Sequence, residues 1–268
     1  MFDSLWKQVR IVSLAAVIGL GLPVRYAIAQ SVSISPLVTI EQLQGSQNKT
    51  TVTVSNNSDK PLRARIVTTD FTYDRETGFI SIPTHAKSAV PYLQFSPREF
   101  VVPPGVSRTV RVGFTIPPSL PDGEYSVALY IEGLQEQKIT QTVGGQQSIT
   151  TLRPRIASIF FVNKGVGNSK ISVASAQWNN ASKEPVVILN NQGTASAYPN
   201  LNWKISKGGS AVTEGKLEGI VLVAGKERSM PIKISALSPG SYLFSGEIIS
   251  RSAGTPVKFE TQLIIPDR

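Results

Sequence analysis

With 268 residues, 41% hydrophobic side chains, 17% charged, 18 prolines and 21 glycines, the chain is long enough for two cores and too rich in turn residues for long helices. It has no cysteine, which excludes disulfides, thiolate nucleophiles and cysteine-ligated metals, and its single histidine leaves a zinc centre or a Ser-His-Asp triad short of partners. The net charge of +9 is spread thinly rather than packed into Lys/Arg runs, a pattern of solubility and not of nucleic-acid binding.

The first 29 residues have the form of a secretory signal peptide. Lys7 and Arg10 make a basic start, Ile11 to Val24 an apolar run, and Ala27-Ile28-Ala29 a small-x-small cleavage site that leaves Gln30 as the new terminus. The apolar run is short for a bilayer span, so no membrane span is expected in the mature form. Removal of Lys7, Arg10, Arg25 and Asp3 with the peptide leaves a net charge of +7.

Short alternating segments follow. Val32 to Pro36 predicts a first strand, and Val52-Thr53-Val54 predicts a strand running into the turn Asn56-Asn57-Ser58. Leu62 to Thr68 predicts another. Asp70, Asp74 and Glu76 form an acidic cluster that lacks the spacing of a calcium loop and is expected to be solvated turn residues. His85, in Pro83-Thr84-His85-Ala86-Lys87, is expected on an exposed loop. Val110, Val112 and Phe114 alternate with Thr109, Arg111 and Thr115, as a half-buried strand requires. After the turn Leu120-Pro121-Asp122-Gly123, the residues Tyr125, Val127, Leu129 and Ile131 predict an apolar strand face. Gln135 to Gln147 reads as a polar loop, and Ser148 to Asn163 as a closing strand with a bulge at Arg153-Pro154.

The same order then returns. Val186 to Gly193 answers Val52 to Ser58, and Leu201 to Ile205 answers the Leu62 strand. Val221, Gly225, Arg228, Met230, Ile232 and Ile234 stand where Val101, Gly105, Arg108, Val110, Val112 and Phe114 stood. Leu237 to Tyr242 repeats Leu120 to Tyr125. Trp178 and Trp203 are expected in core or interdomain packing. The expectation is an all-β protein of two tandem immunoglobulin-like β-sandwiches, residues 30–165 and 166–268, with helical turns at most.

The mature chain resembles the PapD-type periplasmic chaperones of pilus assembly. The stretches that carry the resemblance are Val32 to Pro36, Thr50 to Asn57, Val102-Pro103-Pro104-Gly105 with Val110-Arg111-Val112, Tyr125 to Leu134, and Arg155-Ile156-Ala157-Ser158-Ile159-Phe160-Phe161. The resemblance implies a periplasmic, non-enzymatic chaperone. Its partners would be pilus or fimbrial subunits and an outer-membrane usher, and it would be a monomer when bound to its client. It implies that a strand of about residues 148–162 is donated to the subunit, by backbone pairing along an exposed edge and apolar side chains in the subunit's groove. Ile149, Thr151, Leu152 and Ile156 are then the subunit-binding residues. The family's paired basic residues for a subunit carboxylate have no direct match, since Leu37 and Val38 hold the first neighbourhood and Ala157 and Ser158 the second. Arg155, or Arg153, is the candidate anchor. No catalytic residue, metal ligand or cofactor is expected. The alternative reading is a structural or adhesive envelope protein that binds wall or surface glycan.

Overall fold

Alternation along the strands decides which side chains enter each core. The structure, a computed structural model, describes residues 32–143, 146–250 and 255–267. The expected signal peptide, with Gln30, and the pair Gly144-Gly145 lie outside them.

The first part of the chain runs through β1 (Val32–Ser35), β2 (Val38–Gln42), β3 (Gln47–Asn56), β4 (Leu62–Asp74), β5 (Gly78–Ile82), a single 3-10 turn at Val90–Tyr92, β6 (Leu93–Ser96), β7 (Glu99–Val102), β8 (Ser107–Thr115), β9 (Gly123–Gly133), β10 (Gln137–Val143), β11 (Gln146–Leu152) and β12 (Arg155–Lys164), and all of these strands but β10 and β11 build a first sandwich. One sheet has the order β1-β3-β8-β6. The other has β2-β12-β9-β4-β5, with β7 also paired to β4. Between them lies a core that includes Val52, Val54, Val110, Val112, Phe114, Tyr125, Val127, Leu129, Ile131 and Phe160. These are the inward positions that period two assigns.

The second sandwich comprises β13 (Ile171–Asn179), β14 (Glu184–Asn191), β15 (Asn200–Lys207), β16 (Ser210–Leu217), β17 (Glu227–Pro231), β18 (Gly240–Ile249) and β19 (Val257–Ile265). Its sheets run β13-β14-β17 and β16-β15-β18-β19. Leu189, Leu201, Trp203, Ile205, Ile232, Tyr242, Phe244 and Ile248 fill its core, with Trp178 packed against it. Both tryptophans therefore belong to this core.

The repeat seen in the sequence extends to individual hydrogen bonds. Asn56 Nδ2 donates to the carbonyls of Lys60 and Val102, and Asn191 Nδ2 to those of Ala195 and Leu222. Gly105 N–H donates to Asn56 O and Gly225 N–H to Asn191 O, each at 2.8 Å, and both glycines have φ of +68°. That left-handed turn favours glycine. The Tyr125 hydroxyl donates to Pro121 O at 2.8 Å and the Tyr242 hydroxyl to Ser238 O at 2.9 Å, four residues back in both cases.

A third apolar cluster covers the outer face of the β2-β12-β9-β4 sheet. Phe71, Ala128, Tyr130, Ile159 and Phe161 pack there with Val221, from the segment before β17. Ile159, Phe160, Phe161 and Val162 are consequently all buried. Polar contacts border this cluster. Ser229 N–H donates to Arg75 O at 2.9 Å, Arg228 Nη1 donates to Asp74 O at 3.0 Å, and Arg75 lies 3.3 Å from the Glu227 carboxylate.

Two expectations need correction. Asp70 is not a solvated turn residue: it lies within β4, 5% exposed, paired with Ile82 of β5 and in the inward register of Leu62, Ala64 and Ile66, on the opposite face from Phe71. Most of Gln135 to Gln147 is not a loop but strand, since β10 and β11 pair in register from Gln137↔Leu152 to Val143↔Gln146.

Candidate subunit-binding strand

β9 and β12 pair over ten positions, from Gly123↔Lys164 to Glu132↔Arg155, and the same two chain segments continue beyond the sandwich as the β10-β11 ribbon. At the junction, residues 133–136 face only residues 153–154, so the ladder is interrupted where the bulge is expected. Pro154 has no N–H to donate, and its carbonyl instead accepts from Gly133 N–H at 2.9 Å. A Cβ on Gly133 would lie 2.7 Å from Pro154 Cγ, so the close approach requires glycine there. Arg153 Nη2 closes the interruption with a hydrogen bond of 3.1 Å to Glu136.

The edges differ along the segment. Ile159 to Asn163 are paired on both sides, antiparallel to β9 and parallel to β2, and Ile159 N–H donates to Leu37 O at 2.9 Å. The expected donor span of 148–162 therefore has its second edge occupied from Ile159 onward. Before that, among the described residues, Arg155 to Ala157 pair only with β9, and β11 pairs only with β10. Each has one row of backbone N–H and C=O groups without a strand partner.

Ile149 is 62% exposed, and Thr151 shares its face of the ribbon and is also exposed. The backbone of Leu152 pairs with Gln137, and its side chain lies outside the described residues. Ile156 packs against the first core. It also borders a cavity of about 280 Å³ with Val32, Leu62, Ile131 and Pro154 at the open end of the sandwich. The structure thus sets Ile149 and Thr151 together on the ribbon and Ile156 apart at its root.

The two candidate anchors are already engaged. Arg155 lies 2.9 Å from Glu132 and stacks on Tyr130, its guanidinium carbon 3.7 Å from the ring centroid. Glu132 also holds Arg65 at 3.0 Å. Arg153 has Glu136. Ser158 is fully buried and its hydroxyl donates to Pro36 O at 2.7 Å. The Arg65–Glu132–Arg155 group escaped the sequence reading. Its one signal was a glutamate closing the apolar strand Tyr125 to Ile131.

His85 lies on an exposed loop, where its Nδ1 accepts from Lys87 N–H at 3.2 Å. Among the described residues no cluster of three or more His, Asp or Glu side chains is placed to hold a metal ion, and no helix is long and apolar enough to cross a membrane.

No family model matches the chain, and no curated protein is similar to it in sequence. Solved structures do match. The class 5 fimbriae chaperone CfaA is 14% identical, covering 88% of this chain and 100% of that one, with a TM-score of 0.44. The E. coli chaperone DraB is 16% identical over 87% of this chain and 98% of its own, with a TM-score of 0.43. A chain of the Salmonella enterica SafA pilin complex with the SafB chaperone is 12% identical over 87% and 97%, with a TM-score of 0.46.

Proposed function

We propose that this protein is an exported, periplasmic chaperone that holds pilus or fimbrial-type subunits by β-strand addition before their assembly at the outer membrane. Two domains, residues 30–165 and 166–268, would frame the bound subunit. One observation carries the reading: a ribbon of unpaired backbone edge, Gln146 to Leu152 and on to Ala157, that presents Ile149 to solvent. Such an edge is a liability unless something pairs with it, and an incomplete sandwich supplies that partner. Pairing satisfies the backbone groups, while Ile149 and Thr151 offer side chains to the groove. Arg155 anchors a subunit carboxylate in this reading only by exchanging Glu132 for it.

The test is capture of secreted subunits by the purified protein, followed by hydrogen exchange on the complex. Protection of the amides of residues 146–157 on binding is the expected result. Ile149→Asp and Thr151→Pro should lose the client while circular dichroism and thermal midpoint stay those of the parent. A complex that forms with unchanged exchange over 146–157, or that both variants retain, overturns the reading.

A further inference from the structure

The other sheet of the first sandwich carries a surface unlike the rest of the protein. No aspartate or glutamate occurs on β1, β3, β6 or β8. Their outward positions align across the strands into rows. Ser35, Thr53 and Thr109 form one, Thr51, Arg111 and Ser96 the next, and Lys49, Gly113 and Gln94 a third. The result is a hydroxyl and amide lattice with two cations on it. Elsewhere in this sandwich several arginines are held by acids, Arg63 by Glu99, Arg65 and Arg155 by Glu132 and Arg153 by Glu136, while Arg98 lies over the Phe95 ring. Lys49 and Arg111 have no acidic partner among the described residues and are exposed.

Gly113 supplies a second, independent observation. Glycine inside a strand is destabilising relative to alanine, so its presence needs a reason. For Gly133, Gly215 and Gly246 the reason is a neighbouring ring, of Pro154, Trp203 and Phe259 respectively, lying where a Cβ would be. Gly113 has no such neighbour. Its φ is not in the left-handed region, its ladder with β3 runs without a register shift, and a Cβ would meet only Asn48 O at an ordinary 3.6 Å. The fold would accept a side chain there. What the glycine leaves is a dent of about 460 Å³ bordered by Lys49, Thr51, Gln94, Phe95, Ser96 and Arg111. Strand glycines mark bulges, tight bends or the close approach of a ligand or another backbone, and the unshifted ladder leaves the last of these.

We propose that this face binds an acidic polysaccharide, with an anionic sugar seated over Gly113 between Lys49 and Arg111. The charge is complementary, an arginine can meet a carboxylate or sulfate with two hydrogen bonds, and serine and threonine hydroxyls both donate to and accept from sugar hydroxyls. A bilayer is the poorer partner, because a membrane-seeking face sets aromatic or aliphatic side chains outward beside its cations, whereas the outward rows here hold none and Phe95, at the dent, is in the inward register and packs on the first core. The face lies across the first core from β12, so it is independent of strand donation and can be occupied at the same time.

The experiment titrates the full purified protein with polygalacturonate, dextran sulfate and neutral dextran at about 0.1 M salt, where charges separated by more than about 10 Å are screened. Binding to either polyanion but not to dextran is expected. Gly113→Thr should weaken it about tenfold while the thermal midpoint holds or rises, because threonine suits a strand better than glycine. The pair Lys49→Gln, Arg111→Gln should also weaken it about tenfold or more, and Lys204→Gln with Lys226→Gln, which removes the same charge from the second sandwich, by less than about threefold. Equal weakening by the control pair would reduce the effect to net charge and overturn the proposal. So would absence of polyanion binding, equal affinity for neutral dextran, or no effect of Gly113→Thr. Anionic phospholipid vesicles bound through the same three residues, and more tightly than either polyanion, would overturn it in favour of a membrane.

Discussion

Glu124, on β9 of the first sandwich, accepts hydrogen bonds from both the backbone N–H and the hydroxyl of Ser196 in the second, at 2.6 and 2.5 Å. Burial pushes its carboxyl above the ordinary value, and the two bonds from Ser196 pull part of the way back. A raised folded-state value means that the group's contribution to stability is fully present below the unfolded value and is lost as pH rises through the folded one. Glu124→Gln, neutral throughout, should therefore gain stability relative to the parent as pH increases past about 4.5. Urea midpoints of both proteins between about pH 4 and 8 check this. Asp74 has the opposite sign: hydrogen bonds from Thr77 and Glu76 lower its value, so its contribution fades as pH falls. Parallel curves for parent and Glu124→Gln would remove Glu124 from the account.

Asn56 and Asn191 are each fully buried, and each ties a turn to the strand beside it. Asn56→Ala or Asn191→Ala strands buried carbonyls as well as removing donors, at a cost of about 2–3 kcal/mol each. The two sites sit in separate cores, so the double variant should lose close to the sum. Denaturant unfolding of the three variants measures both statements.

Phe161 is 1% exposed in the cluster that also holds Val221, and its ring meets Phe71 edge-on at 5.5 Å. Phe161→Ala should cost about 3–5 kcal/mol. Because the cavity would open between the two sandwiches rather than inside one, calorimetry should show a broader transition, or two, where the parent gives one.

The ribbon and its root should respond differently to the same charge. Ile149 is exposed, so Ile149→Asp should change stability by no more than about 0.5 kcal/mol. Ile156 packs on the first core, and Ile156→Asp should cost about 2–4 kcal/mol by placing a carboxylate against apolar neighbours. Thermal unfolding separates the two before any client is added.

Strands with one buried face were legible in the sequence because period two leaves a visible alternation, as at Val110, Val112 and Phe114. The tandem repeat was legible for the same reason, and it proved deeper than spacing suggested, reaching the hydrogen bonds of Asn56, Asn191, Tyr125 and Tyr242. What escaped was structure held without an apolar face. β10 is glutamine- and threonine-rich and reads as loop, yet it pairs along its whole length. The second half of β12 escaped for the opposite reason: Ile159 to Val162 are apolar at every position, which hides the fact that two different apolar layers, and β2 on the edge, claim them. The outward neighbours of Gly113 and Arg111 could not be weighed until the register of β3 against β8 was known.

The geometry of the ribbon also decides how it bears a load. A pull along its axis draws β9 and β12 together in one direction, so their mutual ladder is unstressed. The resistance comes from β4 along β9 and from β2 along β12, where hydrogen bonds are loaded side by side in shear rather than one after another. A strand seated along the free edge of β11 would be loaded in the same way, side by side along the ribbon, and would peel off one bond at a time only under a pull across it.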